Sequence, residues 1–253
     1  MIALEEDSYT RALREVGERH EDARATVIVS AHWQRTGPIR VTAWEHAPII
    51  HDFGGFPQEL FKLEYPAPGS PKLAAEIAAA LTSASHPAEL DHHRGLDHGA
   101  WIPARLIWPA AKVPVIQVAL PAAEPAELFE IGRALRPFRE QNILLMGSGG
   151  IVHNLRRVRF GHEFGPVDRW AEEFDRWVEK QLDSGETETL FRYREVAPGA
   201  DAAVPTTEHF DPLFVTMGTR FDDDQVSTIY EGFRYGNISM RSFLFSRGSN
   251  PKA

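Results

Sequence analysis

The stretch Thr26-Val27-Ile28-Val29-Ser30-Ala31, followed by His32 and Trp33, decides the fold. It is short, apolar and rich in β-branched residues. Such a run fits a strand buried on both faces, as in a parallel sheet covered by helices. Asn142-Ile143-Leu144-Leu145-Met146-Gly147 reads as another buried strand and empties into Ser148-Gly149-Gly150, shortly before His153. Val113 to Ala119 reads as a third strand with its proline near the start. Ile39 to Trp44 alternates apolar and polar residues at first, which predicts a half-exposed strand.

Helical patterns separate these strands. Ser8 to Gly17 places Tyr9, Leu13 and Val16 on one side. Ser70 caps a helix that opens on Pro71 and runs to about Leu81. Trp101 to Ile107, Pro125 to Arg139 and Val167 to Leu182 follow, the last with Trp170, Phe174, Trp177 and Val178 on one stripe. Tyr65 to Pro71 is too rich in proline for regular structure, and a loop is expected to carry His86, His92, His93 and His98. Glu186 to Val204 suggests a helix and then a loop, and Thr207 to Thr219 a helix over Leu213, Phe214 and Met217. Val226 to Tyr230 and Ser239 to Phe245 look like strands at an edge, pairing as a hairpin. Alternating strands and helices predict an α/β, single-domain sandwich over residues 1–253, with a largely parallel or mixed central sheet and helices on both faces. In such sheets the site lies beyond the carboxyl ends of the strands, where His32 and His153 fall.

Composition narrows the chemistry. A net charge of -9 argues against a nucleic-acid partner, since phosphate contacts need a basic face. No apolar run is long enough for a membrane span, and the acidic start Met1-Ile2-Ala3-Leu4-Glu5-Glu6-Asp7 does not read as a signal peptide, so a cytoplasmic location is expected. There is no cysteine, so any metal site must use imidazole and carboxylate, donors that suit Fe(II), Zn or Mn.

The chain holds 11 histidines, and several sit in telling contexts. His51 opens His51-Asp52-Phe53-Gly54-Gly55-Phe56-Pro57, where two glycines and a proline make a rigid turn. An imidazole on such a loop suits a metal ligand or proton carrier, against the plainer reading of a histidine bonded to its own turn. His153 follows a glycine-rich turn after a buried strand, His98 stands between Asp97 and Gly99, and His209 is flanked by Glu208 and Asp211. For His98 a neighbouring carboxylate would orient or charge the ring, although adjacency does not ensure contact. His32 reads equally as a buried strand-end histidine. Gly147-Ser148-Gly149-Gly150 lacks both the lysine of a P-loop and the layout of a nucleophile elbow.

Ser30-Ala31-His32-Trp33, the His51 turn, Tyr65-Pro66-Ala67-Pro68-Gly69-Ser70-Pro71, Leu96-Asp97-His98-Gly99, Val152-His153-Asn154-Leu155 and Thr207-Glu208-His209-Phe210-Asp211-Pro212-Leu213 stand in this order. Together they resemble the DOPA-dioxygenase branch of the class III extradiol ring-cleaving dioxygenases, the LigB-like superfamily. The resemblance implies a mononuclear non-haem Fe(II), with Zn(II) at the same site in some members, acting on a small aromatic diol and O2. It implies His51 and His209 as metal ligands, His153 as an acid/base close enough to ligate, and His98 as a further active-site histidine facing substrate or oxygen. Phe53, Phe56 and Trp33 are candidates to line the ring pocket. The family usually opens with a strand ending in a metal-binding His-Gly-Ser-Pro, and Met1 aligns just after that motif, so an upstream first strand and ligand are expected. Two alternatives remain open: a zinc-binding member with hydrolase-like or no redox chemistry, and an inactive small-molecule binder.

Overall fold

The computed structural model describes residues 2–248. In chain order come α1 (Ser8–Arg19), β1 (Ala25–Arg35), β2 (Ile39–Thr42), α2 (Pro71–Ser83), β3 (Ala88–Asp91), α3 (His98–Ile107), β4 (Val115–Pro121), α4 (Pro125–Leu135) and β5 (Ile143–Ser148). Helices α5 (Arg169–Ser184), α6 (Thr187–Phe191), α7 (Tyr193–Val196), α8 (Ala200–Ala203) and α9 (Asp211–Gly218) follow. Four strands come last: β6 (Asp224–Tyr230), β7 (Phe233–Arg234), β8 (Ile238–Ser239) and β9 (Ser242–Arg247). Among the described residues two compact units form: 2–149 with 211–219, and 150–210 with 220–248.

The first unit is built on a five-stranded sheet ordered β3-β2-β4-β1-β5. β1 runs parallel to β4 and β5, β2 parallel to β3, and only the β2–β4 pair is antiparallel. The expected mixed, largely parallel sheet is therefore present. β1 lies between two neighbours, and its residues Ala25 to Ala31 are all buried. Ile28 faces a cluster with Trp101 and Ala104 of α3 and with Tyr65 and Leu96. Its neighbours Val27 and Val29 face the other way, toward Leu135 and Val215 of α4 and α9. Alternate residues of one strand thus fill two cores, which is why the strand carries no polar alternation.

Helices meet closely in this unit. A Cβ on Gly132 of α4 would lie 2.0 Å from the Val215 carbonyl oxygen of α9, and one on Gly218 of α9 would lie 1.9 Å from the Phe129 carbonyl. Because backbone rather than a flexible side chain blocks the space, Gly132→Ala should force the helices apart. The expected loss is about 1–3 kcal/mol, read from the urea midpoint. An unchanged midpoint would show that the crossing yields freely.

Several boundaries differ from expectation. β2 is buried rather than half-exposed, because β3 and β4 flank it and α2 packs against it. His92 and His93 do lie outside regular elements, but β3 forms within the expected loop and His98 begins α3. The helix from Pro125 ends at Leu135 and passes into a 3-10 turn, Arg136–Gln141, opened by Pro137. The Glu186 to Val204 stretch makes three short helices, and α9 starts only at Asp211.

In the second unit, α5 buries Phe174 and Val178 while Trp170 and Trp177 stay half-buried. β6 and β9 pair antiparallel and β7 pairs with β8 between them, so the last strands form their own small sheets rather than an edge of the large one. Arg241, between β8 and β9, bonds Asp175 on α5 with Nε to Oδ2 at 2.7 Å and also bonds Glu179. The Ser239 hydroxyl donates to the same aspartate. These bonds fasten the hairpin to the helix through buried charge.

Candidate active site

The His51 loop is irregular but tightly held. Ile49 bridges Leu96, the Ile50 N–H donates to the Leu96 carbonyl at 2.8 Å, and the buried Trp101 indole donates to the Ile50 carbonyl at 3.1 Å. Gly55 takes φ +78, the left-handed backbone its turn requires. The His51 ring sits among Trp101, Phe53 and Phe61, at centroid distances of 5.6, 5.7 and 5.9 Å. Its Nε2 is buried and has no hydrogen-bond partner among the described residues. A buried nitrogen left without a partner costs about 1–3 kcal/mol. A cation held there would use this lone pair, so the residue fits a metal ligand.

His98 and its sequence neighbour Asp97 have different partners. Asp97 is wholly buried and caps α3, accepting from the Ala100 N–H, the Ser30 hydroxyl at 2.8 Å and the Gln117 amide. It therefore holds the helix start and does not touch the His98 ring. Asp52, from the His51 turn, takes that place. Its Oδ1 accepts from both the backbone N–H and the ring Nδ1 of His98, each at 2.9 Å. Burial pushes the Asp52 carboxyl up, but the bonds and charge of His98 outweigh it and hold the group at about 2. The carboxylate is thus ionised and can only accept, so the Nδ1 of His98 carries the proton.

His32 packs against the same ring, with centroids 3.9 Å apart. It sits where the β1–β4 register shifts, between Ser30 and Gln34, so β1 continues past His32 instead of ending at it. Such irregularities re-aim side chains. Gly99 permits the crowding, since a Cβ there would lie 2.3 Å from the Ser30 hydroxyl and 3.0 Å from the His32 ring. One donor atom each from His32, Asp52 and His98 all lie within 4.8 Å of one another. Two imidazoles and a carboxylate are a donor set that Fe(II) accepts. The Asp52 oxygen is already engaged by two N–H groups of His98, however, so the cluster reads first as a hydrogen-bonded pair with the His32 ring tilted against it.

In the second unit the His153 and His209 rings stack with centroids 3.6 Å apart and planes 8° from parallel. The backbone brings them together: the Gly150 N–H donates to the His209 carbonyl at 2.7 Å, and the His153 N–H to Ala203 at 3.1 Å. Asn154 steadies the turn, bonding Ala202 and the Arg156 N–H. Glu208 lies 3.1 Å from the Nδ1 of His209. Burial raises the Glu208 carboxyl, yet bonds from Thr206, its own backbone and His209 lower it overall. An ionised Glu208 places the His209 proton on Nδ1 and makes Nε2 the lone-pair nitrogen. A carboxylate behind an imidazole is the usual support of a metal-binding histidine.

The sequence-marked histidines thus fall into two local groups. His51 and His98 both contact Phe53, at 5.7 and 5.5 Å, and His153 stacks on His209. Of the three aromatics expected near substrate, Phe56 touches Phe53 and is 44% exposed, while Trp33 is buried beneath Arg94. Phe61 was not anticipated. Neither was Asp52 as a partner of His98; its position beside His51 in a glycine-rich turn was the available signal.

Imidazole-rich, cysteine-free groups on a mixed α/β scaffold suit an enzyme that ligates a metal through histidine. The comparisons make it particular. The profile of the catalytic LigB subunit of aromatic ring-opening dioxygenase matches residues 4–245. The chain is 38% identical over 247 residues to a 4,5-DOPA dioxygenase extradiol of Escherichia coli K12, covering 96% of this chain and 89% of that one. It is 37% identical over 226 residues to the protein of that name in Portulaca grandiflora, covering 88% and 82%. The crystal structure of an uncharacterized protein from Escherichia coli K12 superposes with a TM-score of 0.80 at 33% identity, covering 95% and 93%. The chain belongs to the LigB family of extradiol ring-opening dioxygenases. The family implies a metal site, an aromatic substrate and O2. No helix among the described residues is long and apolar enough to cross a membrane.

Proposed function

We propose that this protein is an Fe(II)-dependent extradiol dioxygenase that opens the ring of a DOPA-like catechol. His51 and His209 hold the metal, His153 serves as acid/base and further ligand, and His98 is a second proton-carrying group. The observation that carries the reading is the buried, partnerless Nε2 of His51 in a chain of this family. The match over 4–245 takes in both compact units and supports treating residues 1–253 as one dioxygenase domain. The DOPA-like substrate class rests on the relatives named 4,5-DOPA dioxygenase extradiol.

Bound iron supplies open positions for catecholate and O2 and a route for electron density between them. The protein's own groups do the rest. His51 offers Nε2 from an aromatic surround formed by Phe53, Phe61 and Trp101. Glu208 holds the proton on Nδ1 of His209 and so leaves Nε2 as the lone-pair nitrogen. The His153 ring accepts a catechol hydroxyl proton and returns it to an oxygen of the reactants. Fixing both reactants beside these rings removes the entropic cost of their encounter.

Anaerobic loading with Fe(II), then L-DOPA and other catechols with air, should produce the yellow absorbance of a semialdehyde. Iron-loaded protein that gives none with any catechol would reject the reading. Glu208→Gln should weaken metal affinity about 10- to 100-fold, measured by chelator competition, because the amide no longer fixes the His209 tautomer. Unchanged affinity would remove His209 from the ligand set.

A further inference from the structure

The sequence places Asp97 beside His98, yet the fold turns Asp97 inward and brings Asp52 to the ring. We infer that Asp52 is the positioning residue of His98: one carboxylate oxygen clamps both the backbone N–H and the Nδ1–H, so that Nε2 is the nitrogen presented for proton exchange with the reactants. The proton-carrying role of His98 rests on the proposed ring-opening function, but the clamp itself does not.

Three features support it. The two bonds converge on a single oxygen at 2.9 Å each, so they restrain the ring's rotation as well as its tautomer. The ring is wedged between His32 and Phe53, at centroid distances of 3.9 and 5.5 Å, which limits any other rotamer. Asp52 and His98 come from distant segments, and both side chains keep some solvent access, at 23% and 26%. A bond that served only to hold the fold together would be better placed in the core, where Asp97 already secures the α3 start. In a histidine–carboxylate pair of this kind the carboxylate sets which nitrogen reacts.

The test uses 15N-histidine-labelled, metal-free protein and long-range proton–nitrogen spectra, with His98 assigned from a His98→Asn variant. Wild type should show His98 protonated on Nδ1, and Asp52→Ala should move it toward the Nε2–H form. A wild-type ring protonated on Nε2, or no movement in Asp52→Ala, would overturn the inference. With iron bound, Asp52→Asn should lower kcat about 10- to 100-fold with KM within about threefold, and Asp52→Glu should recover part of the loss. Metal content should match wild type in both variants. Loss of metal instead would make Asp52 a ligand rather than a positioning group. If wild type opens no catechol, the ring-opening proposal fails, while the metal-free spectra still decide whether the clamp exists.

Discussion

Alanine at position 51 is expected to abolish ring opening by removing the metal. His51 is the ring whose buried Nε2 meets no protein partner, and the walls around it are aromatic. No neighbouring oxygen or nitrogen on that loop is placed to substitute, because Asp52 is committed to His98. Removing a group that merely supports a ligand already costs about 10- to 100-fold in metal affinity. Removing the ligand itself should exceed that range, with turnover falling below detection. Metal analysis after dialysis against a weak chelator, alongside catechol turnover, checks both. The fold should persist, since the loop is anchored through Ile49, Ile50 and Trp101 rather than through the imidazole. A His51→Ala protein that keeps its metal would break the link between the orphaned nitrogen and ligation.

The largest effect on stability should come from Arg241→Met in the second unit. The Arg241 side chain is fully buried, its Nε bonded to Asp175, itself 1% exposed, with Glu179 bonded at Nη1 and the Glu231 carboxylate 2.7 Å from Nη2. Removing one partner of a buried pair leaves an uncompensated charge and costs about 3–5 kcal/mol. Hydrogen exchange should quicken across α5 and the β6–β9 strands while peptides of the five-stranded sheet stay protected. The pH dependence has a definite sign. Burial already raises the Asp175 carboxyl despite the bonds from Ser239 and Arg241. Without Arg241 the carboxyl must rise further, so the folded variant binds a proton that its unfolded chain releases. Its stability deficit should therefore shrink as pH falls toward the ordinary carboxylate range and grow as pH rises through the raised value. Replacing both partners, Asp175→Leu with Arg241→Met, should cost less than Arg241→Met alone. Equal losses would mean that packing, not charge, sets the penalty.

The sequence by itself determined the scaffold. Continuous apolar runs at Thr26 to Ala31 and Asn142 to Gly147 both become strands of the large sheet, but only β1 lies inside it; β5 forms its edge, paired with β1 alone, and is buried fully only at Ile143. Ser70 and Pro71 set the start of α2 through local hydrogen bonding and a fixed φ. The motif order also carried the family, because several rigid turns in register rarely coincide by chance. Local pattern was weaker where proline and long-range pairing decide: α4 stops before Pro137, and β3 exists because β2 offers it a partner.

Only the tertiary structure decided which charges meet. Asp97 precedes His98 in the chain, but a helix cap must turn back onto its own backbone, and that geometry commits Asp97 to α3. Asp52, 46 residues away, reaches the ring because the His51 turn is hung from Leu96 and Trp101. Covalent neighbours share a chain direction, whereas hydrogen bonds follow the fold, so spacing along the sequence marked the histidines and packing chose their partners.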